Sequence, residues 1–355
     1  MKSLNIKGIV LLTIILTIAI AACRKDPVTP PGNGNNDTGM VDMTPYKLLY
    51  PAHFPEPYPI PAGNEMFAER VYLGKMLFFD TRLSNNGESC NTCHQPQYGF
   101  SIPGVSAFDK GLTSLPLINL AWYKNFMWSG RIVGGLEDVM GSEIRDRFNT
   151  DIAKINAIEE YRTMFKQYYG VNEITRETLA KPLAQYMRAL ISRNTKYERN
   201  VLGVEQLTFQ EENGMRIFFS EKGDCFHCHV AVIATDNALH NNGLDSLYAK
   251  EIDKGYYNVT KNANDLGKFR TPNLRNVALR TDYMHDGRFK TLEEVVDFYD
   301  HGVHKVANVD PIMLKPGKEN GLNLTAIEKK ELVAFLKTLT DNVMIADTMF
   351  ASPFK

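Results

Sequence analysis

The sequence predicts a mostly α-helical protein of two domains, on three observations. Its 355 residues are enough for two units that each bury a core. Apolar residues between Leu179 and Ile191 recur at the spacing of one helix face, and no alternating apolar run indicates an extensive sheet. Capping-box signals for helix starts stand at Thr208, Thr291 and Thr325, each with a glutamate three positions later.

The composition is that of an ordinary globular protein, with 44% hydrophobic and 23% charged residues. A net charge of −1 is too small to indicate a nucleic acid or an anionic membrane surface as a partner.

The amino terminus has the pattern of an exported protein. In residues 1–22, Lys2 and Lys7 precede an apolar run closed by small residues, which is typical of an export signal and too short to span a membrane. Cys23 then stands where a bacterial lipoprotein is cleaved and lipidated. The alternative is plain cleavage nearby, with Cys23 either removed or left as a stray thiol. Residues 23–62, rich in proline, glycine and asparagine, are predicted to be a disordered tether.

Apart from Cys23, every cysteine belongs to a Cys-x-x-Cys pair followed at once by a histidine. The two motifs are Cys90-Asn-Thr-Cys93-His94 and Cys225-Phe-His-Cys228-His229. In such a motif both thiols bond to the vinyl groups of one haem, and the histidine ligates the iron from the same turn. A disulfide framework has no use for the histidine, and a four-cysteine zinc site has its pairs closer together. The sequence therefore predicts two covalently bound haem c groups, with His94 and His229 as proximal ligands.

A similar lead-in precedes each motif, Leu77-Phe78-Phe79 before the first and Ile217-Phe218-Phe219 before the second. We interpret this as a weak internal repeat of two cytochrome c-like haem domains packed against each other. The predicted N-terminal domain spans 63–200, and the predicted C-terminal domain spans 201–345.

From about residue 73 to 340 the chain resembles the bacterial di-haem cytochrome c peroxidase family. The segments that carry the resemblance are Leu73–Asp80, Phe126–Arg131, Lys268–Val277, Tyr283–Gly287 and Leu292–Val296. The resemblance implies that hydrogen peroxide is cleaved at the N-terminal haem. It implies that electrons enter at the C-terminal haem from a small donor protein, a cytochrome c or a cupredoxin, on the periplasmic side of the cell envelope. It also implies a homodimer.

The iron of the N-terminal haem is expected to keep an open position. Many family members carry a removable distal histidine, but here no histidine stands between His94 and His227. Peroxide chemistry needs such an open position, whereas an electron-transfer haem has both axial positions filled. Met127 or Met140 as a distal ligand is the alternative.

The C-terminal haem is expected to have a tyrosine as its sixth ligand. Tyr299 stands where the resemblance places a methionine, on the same helix face as Leu292, Val295 and Val296. A tyrosine there resembles the related tryptophylquinone-forming di-haem oxidase. The alternative is a packed core tyrosine, with Met284 or another nearby residue as the ligand.

The residues that assist O–O cleavage in the family have no direct counterparts. Val139 stands at the position of the family's glutamine, and 146–150 lacks its glutamate. Glu137 or Glu143 is the predicted proton shuttle, and an exposed charged helix face is the alternative for both. Trp128 matches the aromatic residue between the haems, either as an electron relay or as packing.

Two further residues bear on the cofactors. Ser114 replaces the asparagine of the family's interdomain calcium site, which counts against calcium, and His285 is expected to be structural.

The sequence leaves three activities open. The first activity is peroxide reduction. The second is oxidation of a partner protein, which Tyr299 favours. The third is electron carriage without peroxide chemistry, which the missing glutamine and glutamate favour.

Overall fold

The computed structural model describes residues 41–106, 111–230 and 232–354 of the chain. The described part is mostly helical, with three short two-stranded antiparallel ribbons and no larger sheet among these residues. No described helix is long and apolar enough to cross a membrane. The predicted export signal and Cys23 lie outside the described residues.

The α-helices in chain order are α1 (Ala68–Phe79), α2 (Cys90–Cys93), α3 (Leu136–Ser142), α4 (Ile152–Asn156), α5 (Glu159–Tyr169), α6 (Arg176–Ala189), α7 (Lys196–Val201), α8 (Phe209–Phe218), α9 (Tyr257–Thr260), α10 (Leu292–Asp297), α11 (Ala326–Lys337) and α12 (Asn342–Ala346). The strands are β1 (Val105–Ser106), β2 (Leu112–Thr113), β3 (Asn125–Phe126), β4 (Ile132–Val133), β5 (Leu239–His240) and β6 (Phe269–Arg270), paired in that order. Helices α3 and α10 each continue into a π turn, at Glu143–Arg147 and Phe298–Gly302.

The predicted helix starts at Thr208, Thr291 and Thr325 are confirmed. Each threonine hydroxyl accepts a hydrogen bond from the backbone N–H of the glutamate three positions later, and each glutamate bonds back to the cap. These reciprocal bonds satisfy backbone donors that the first helical turn would leave unpaired.

Two close helix crossings form the centres of the two domains. In the first, α1 meets α6 so tightly that a Cβ at Gly74 would lie 1.9 Å from the Pro182 carbonyl oxygen. In the second, α8 meets α11, and a Cβ at Gly214 would lie 1.9 Å from the Glu331 carbonyl oxygen. Only glycine allows backbones to approach so closely.

The aromatic lead-ins pack alike at these two crossings. Phe78 lies 5.2 Å from Tyr186 at an interplanar angle of 59°, and Phe218 lies 5.2 Å from Phe335 at 57°. The weak repeat in the sequence therefore reflects a repeated three-dimensional unit, as expected for two cytochrome c-like domains.

The end of the chain returns to the first domain. Met344 of α12 and Phe350 are buried in the core of the first domain, and the Phe350 ring lies 6.0 Å from that of Phe100. The core of the second domain ends at Leu339. Residues 342–345 of α12, which the prediction placed in the second domain, therefore pack on the first.

The prediction of a disordered tether is wrong for residues 41–62. Phe54 is only 5% exposed, and its ring and that of Tyr50 each lie 5.4 Å from the Trp122 ring. The Trp122 indole N–H donates to the Pro55 carbonyl at 2.7 Å. The scattered aromatic residues of this proline-rich segment bury enough surface against the first domain to order it. Residues 23–40 lie outside the described part.

Candidate haem sites

The second Cys-x-x-Cys-His motif forms a tight turn that fixes its histidine. The His229 N–H donates to the Cys225 carbonyl at 2.9 Å, and Nδ1 lies 3.1 Å from the Ala234 carbonyl oxygen. A carbonyl accepts only from an N–H, so Nδ1 carries the proton and Nε2 is left as the iron ligand. Burial lowers the pKa of His229, which favours the neutral imidazole that ligates metals.

A large, mainly apolar cavity opens at this motif. Its wall includes Cys225, Cys228 and His229, and the α10 face predicted to point inward also lines it: Leu292, Val295, Val296 and Tyr299. Arg270 and Arg280 belong to the same wall, and neither has a carboxylate partner within the described residues. Burial lowers the pKa of both guanidinium groups, to about 10 for Arg280. Such a wall fits an apolar group that carries carboxylates, as haem does.

Both candidates for the sixth ligand of the second haem lie in this cavity. The Asn242 amide donates to the Tyr299 hydroxyl at 3.1 Å and lies 3.9 Å from the Met284 sulfur. Burial raises the pKa of Tyr299 to about 12, and the Asn242 hydrogen bond opposes that rise. A tyrosine would have to release its hydroxyl proton to ligate iron as a phenolate, whereas a methionine ligand has none to lose.

The first motif holds its histidine in a similar way. The His94 N–H donates to the Cys90 carbonyl at 3.0 Å, and Nδ1 lies 3.0 Å from the Phe100 carbonyl oxygen and 3.1 Å from the Ser114 hydroxyl. Phe100 has a left-handed φ of 60°, and Ala234 of the second site has 52°. Side-chain-bearing residues rarely adopt this conformation, and here it turns each carbonyl toward its histidine.

Ser114 does not fit a calcium ligand. Its hydroxyl donates to the Cys93 carbonyl at 2.7 Å, and its own carbonyl accepts from the Arg280 guanidinium at 2.8 Å. The oxygen that a cation would bind therefore already faces a fixed positive charge, which repels a second cation.

The structure gives different surroundings to Glu137 and Glu143, which the sequence left as equal candidates for the proton shuttle. Arg188 donates to both carboxylate oxygens of Glu137, at 2.7 and 2.5 Å, and the Asn64 amide donates to one at 2.6 Å. Burial alone would raise the pKa of Glu137, but the Arg188 bonds bring it below its usual value. The exposed-face alternative is wrong for Glu137, since its side chain is only 20% exposed.

Glu143 lies beside the first thiol pair. Burial raises the pKa of Cys90, the Glu143 carboxylate raises it further, and Arg147 opposes both. Arg147, on the same π turn, places its guanidinium 3.2 Å from the Cys93 sulfur. The π turn therefore packs against the site where the first haem would be attached.

Trp128 lies at the boundary between the two sites. Its indole N–H donates to the Thr113 carbonyl at 2.7 Å, next to Ser114, and its ring lines the second cavity. The ring meets Phe269 edge-on at 6.3 Å, and His285 stacks on the other side of this pair at 4.0 Å from Phe269. His285 Nε2 is bonded to Asp253 at 3.1 Å.

Comparison with known proteins identifies the family of the chain. The profile of the family described as di-haem cytochrome c peroxidase matches residues 68–206. Cytochrome-c peroxidase IdrP1 of Denitromonas iodatirespirans is 32% identical over 335 residues, which covers 80% of this chain and 85% of that protein. Methylamine utilization protein MauG of Methylorubrum extorquens is 32% identical over 316 residues, covering 85% and 86%.

Solved structures show the same fold. The crystal structure of a MauG-like protein associated with microbial copper homeostasis is 30% identical, with a TM-score of 0.79, and the match covers 87% of this chain and 100% of that one. The diheme peroxidase BthA from Burkholderia thailandensis, at 22% identity, covers 78% and 87% with a TM-score of 0.61. The chain belongs to the di-haem cytochrome c peroxidase family, whose members include both peroxidases and MauG.

Proposed function

We propose that the protein is a di-haem cytochrome c peroxidase that reduces hydrogen peroxide to water. The observation that carries this proposal is the difference between the two sites. Tyr299 and Met284 both line the second cavity as candidates for its one sixth ligand, whereas the chain offers no distal histidine between His94 and His227. Bound haem would supply an iron position for peroxide at the first site and electron transfer at the second.

The residues between the sites support a division of labour. Electrons would enter from a small donor protein, a cytochrome c or a cupredoxin, at the His229 site. Trp128 touches the second cavity while its indole N–H is held by Thr113, beside the Ser114 that contacts His94. This position suits an electron relay, because an aromatic ring shortens the step across the domain boundary.

The test is peroxide-dependent oxidation of a reduced small cytochrome c by the holoprotein as isolated, without prior reduction. We expect turnover, because no histidine between His94 and His227 would close the iron position at the first site. No turnover, together with haem spectra that peroxide leaves unchanged, would instead support a di-haem electron carrier with two six-coordinate haems.

A second candidate is a MauG-type oxidase that modifies a partner protein. Tyr299 in the second cavity and the similarity to MauG favour it. It predicts that peroxide gives a long-lived oxidised state, two electrons above the resting protein and shared by both haems. It also predicts slow turnover with small donors. Tyr299→Met should then shorten the life of that state, whereas a peroxidase would keep its donor turnover in the same variant.

The protein is proposed to act on the periplasmic side of the envelope, anchored through a lipid on Cys23. In cells, Cys23→Ser should move the holoprotein from the membrane fraction to the soluble fraction. Retention of that variant in the membrane would argue against the lipid anchor.

A further inference from the structure

The segment before α10 has a counterpart in the first domain that the sequence analysis missed. Phe126-Met127-Trp128-Ser129-Gly130-Arg131 aligns with Tyr283-Met284-His285-Asp286-Gly287-Arg288. The two methionines have left-handed φ values of 66° and 68°, and the glycines have 62° and 71°. In both segments the first residue pairs across the turn with the residue after the arginine, which is Ile132 in one and Phe289 in the other.

The helices that follow also correspond. Leu136-Glu-Asp-Val begins α3 and Leu292-Glu-Glu-Val begins α10, and in each the third residue, Asp138 or Glu294, caps the helix start. Both helices then widen into a π turn. Glu143 stands as many residues after Leu136 as Tyr299 does after Leu292, so these two side chains occupy the same place in the two domains.

The electrostatic surroundings agree with this correspondence. Burial raises the pKa of Tyr299, the Asn242 hydrogen bond opposes that rise, and charge on Cys228 and Cys225 adds to it, whereas burial and then Glu143 raise the pKa of Cys90. The geometry agrees, because Tyr299 lines the same cavity as Cys225 and Cys228, and Arg147, on the π turn that Glu143 begins, lies 3.2 Å from the Cys93 sulfur. Tyr299 lines the cavity that also holds His229, so the counterpart position in the first domain would face a haem held by His94.

We propose that Glu143 is the distal carboxylate of the first site and the proton shuttle for peroxide. This rests on the proposed peroxidase function and names the residue that replaces the family's glutamine and glutamate. Glu137 does not stand at the position that corresponds to Tyr299, and its oxygens face away to Arg188 and Asn64, which bond to them.

The chemistry requires one group that first accepts a proton and then returns it. The Glu143 carboxylate takes the proton from one oxygen of hydrogen peroxide and delivers it to the other as the O–O bond breaks, and that oxygen leaves as water. The oxygen that gave up its proton becomes water with two protons from solvent and two electrons from the donor protein. Overall, one hydrogen peroxide, two protons and two electrons give two waters. A positioned acid–base group contributes about 10²–10⁴-fold to such a step.

The inference can be tested without peroxidase turnover, by comparing the binding of hydrogen cyanide with that of carbon monoxide. Hydrogen cyanide must surrender a proton to bind ferric iron, whereas carbon monoxide binds ferrous iron without proton transfer. In Glu143→Gln holoprotein we expect cyanide association to slow by about 10²-fold or more. Carbon monoxide association should be unchanged, and Glu143→Asp should retain part of the cyanide rate.

Asp146→Asn is the matched control. Asp146 is a carboxylate on the same π turn, but its side chain is 45% exposed and bonded to Arg145 and Ser142. This variant should bind cyanide like the wild type. An unchanged cyanide rate in Glu143→Gln, or equal slowing of cyanide and carbon monoxide, would overturn the inference. Glu143-dependent cyanide binding without any peroxide turnover would keep Glu143 in place and reject the peroxidase.

Discussion

Replacing a tyrosine with phenylalanine should stabilise the protein at Tyr186 and destabilise it at Tyr161. Both side chains are fully buried in the first domain. The Tyr186 hydroxyl has no hydrogen-bond partner among the described residues, whereas the Tyr161 hydroxyl donates to the Asp80 carboxylate. Burying an unbonded hydroxyl costs about 1–3 kcal/mol in proteins. A hydrogen bond to a charged group contributes about 1.5–3 kcal/mol. Phe335, the counterpart of Tyr186 at the second helix crossing, shows that a phenylalanine ring packs well in this kind of crossing.

Tyr186→Phe should therefore raise the free energy of unfolding by about 1–3 kcal/mol. Tyr161→Phe should lower it by about 1.5–3 kcal/mol. Thermal unfolding of the holoprotein, followed by circular dichroism, measures both, with a shift in Tm of roughly 2–4 °C for each kcal/mol in a unit of this size. Equal destabilisation in the two variants would refute the reasoning, because it would show that the Tyr186 hydroxyl is bonded in the folded protein.

Four further changes test the helix packing, the Arg280 charge and the predicted lack of calcium. Gly214→Ala should destabilise the second domain by at least about 1–3 kcal/mol, since its Cβ would lie 1.9 Å from the Glu331 carbonyl oxygen. Gly141→Ala, with nothing within 4 Å of its Cβ, should stabilise α3 by about 0.5–1 kcal/mol, as chemical denaturation would show. Arg280→Met should lower the reduction potential of the second haem by tens of millivolts in a redox titration, because a buried positive charge favours the reduced iron. An unchanged potential would mean that Arg280 does not face a haem carboxylate. Calcium chelators should leave haem spectra and Tm unchanged, because Arg280 already bonds the Ser114 carbonyl; a loss of stability with chelator would argue against this.

The covalent chemistry and the helix boundaries were open to prediction from the sequence because they depend on local spacing. A Cys-x-x-Cys-His motif must place two sulfurs and one imidazole on a single porphyrin, so its spacing alone identifies it. The capping threonine at Thr291 and the inward face from Leu292 to Tyr299 likewise depend on residues within two helical turns. Such contacts need no knowledge of what packs against the helix.

The remaining features depend on contacts between distant parts of the chain. Proline-rich residues 41–62 have the composition of a tether, and only their burial against Trp122 orders them. The ion pair with Arg188 decides whether Glu137 can act as a proton shuttle, and nothing in the sequence predicts that pair. The repeat that relates Glu143 to Tyr299 was visible in the Met-x-x-Gly-Arg spacing, but the single-residue difference before each helix hides it from a simple comparison.

The two halves differ most where they face a haem. Gly74 and Gly214 are alike because the helix crossing leaves no room for a Cβ, and this demand is the same in both domains. The position seven residues after Leu136 or Leu292 has no such demand, and there one domain carries the carboxylate of Glu143 and the other the phenol of Tyr299. A carboxylate can accept a proton from a bound molecule and return it, whereas a phenol can serve as a ligand of ferric iron. The difference at this one position therefore fits the proposed division, in which the first domain holds the peroxide site and the second holds the electron-transfer site.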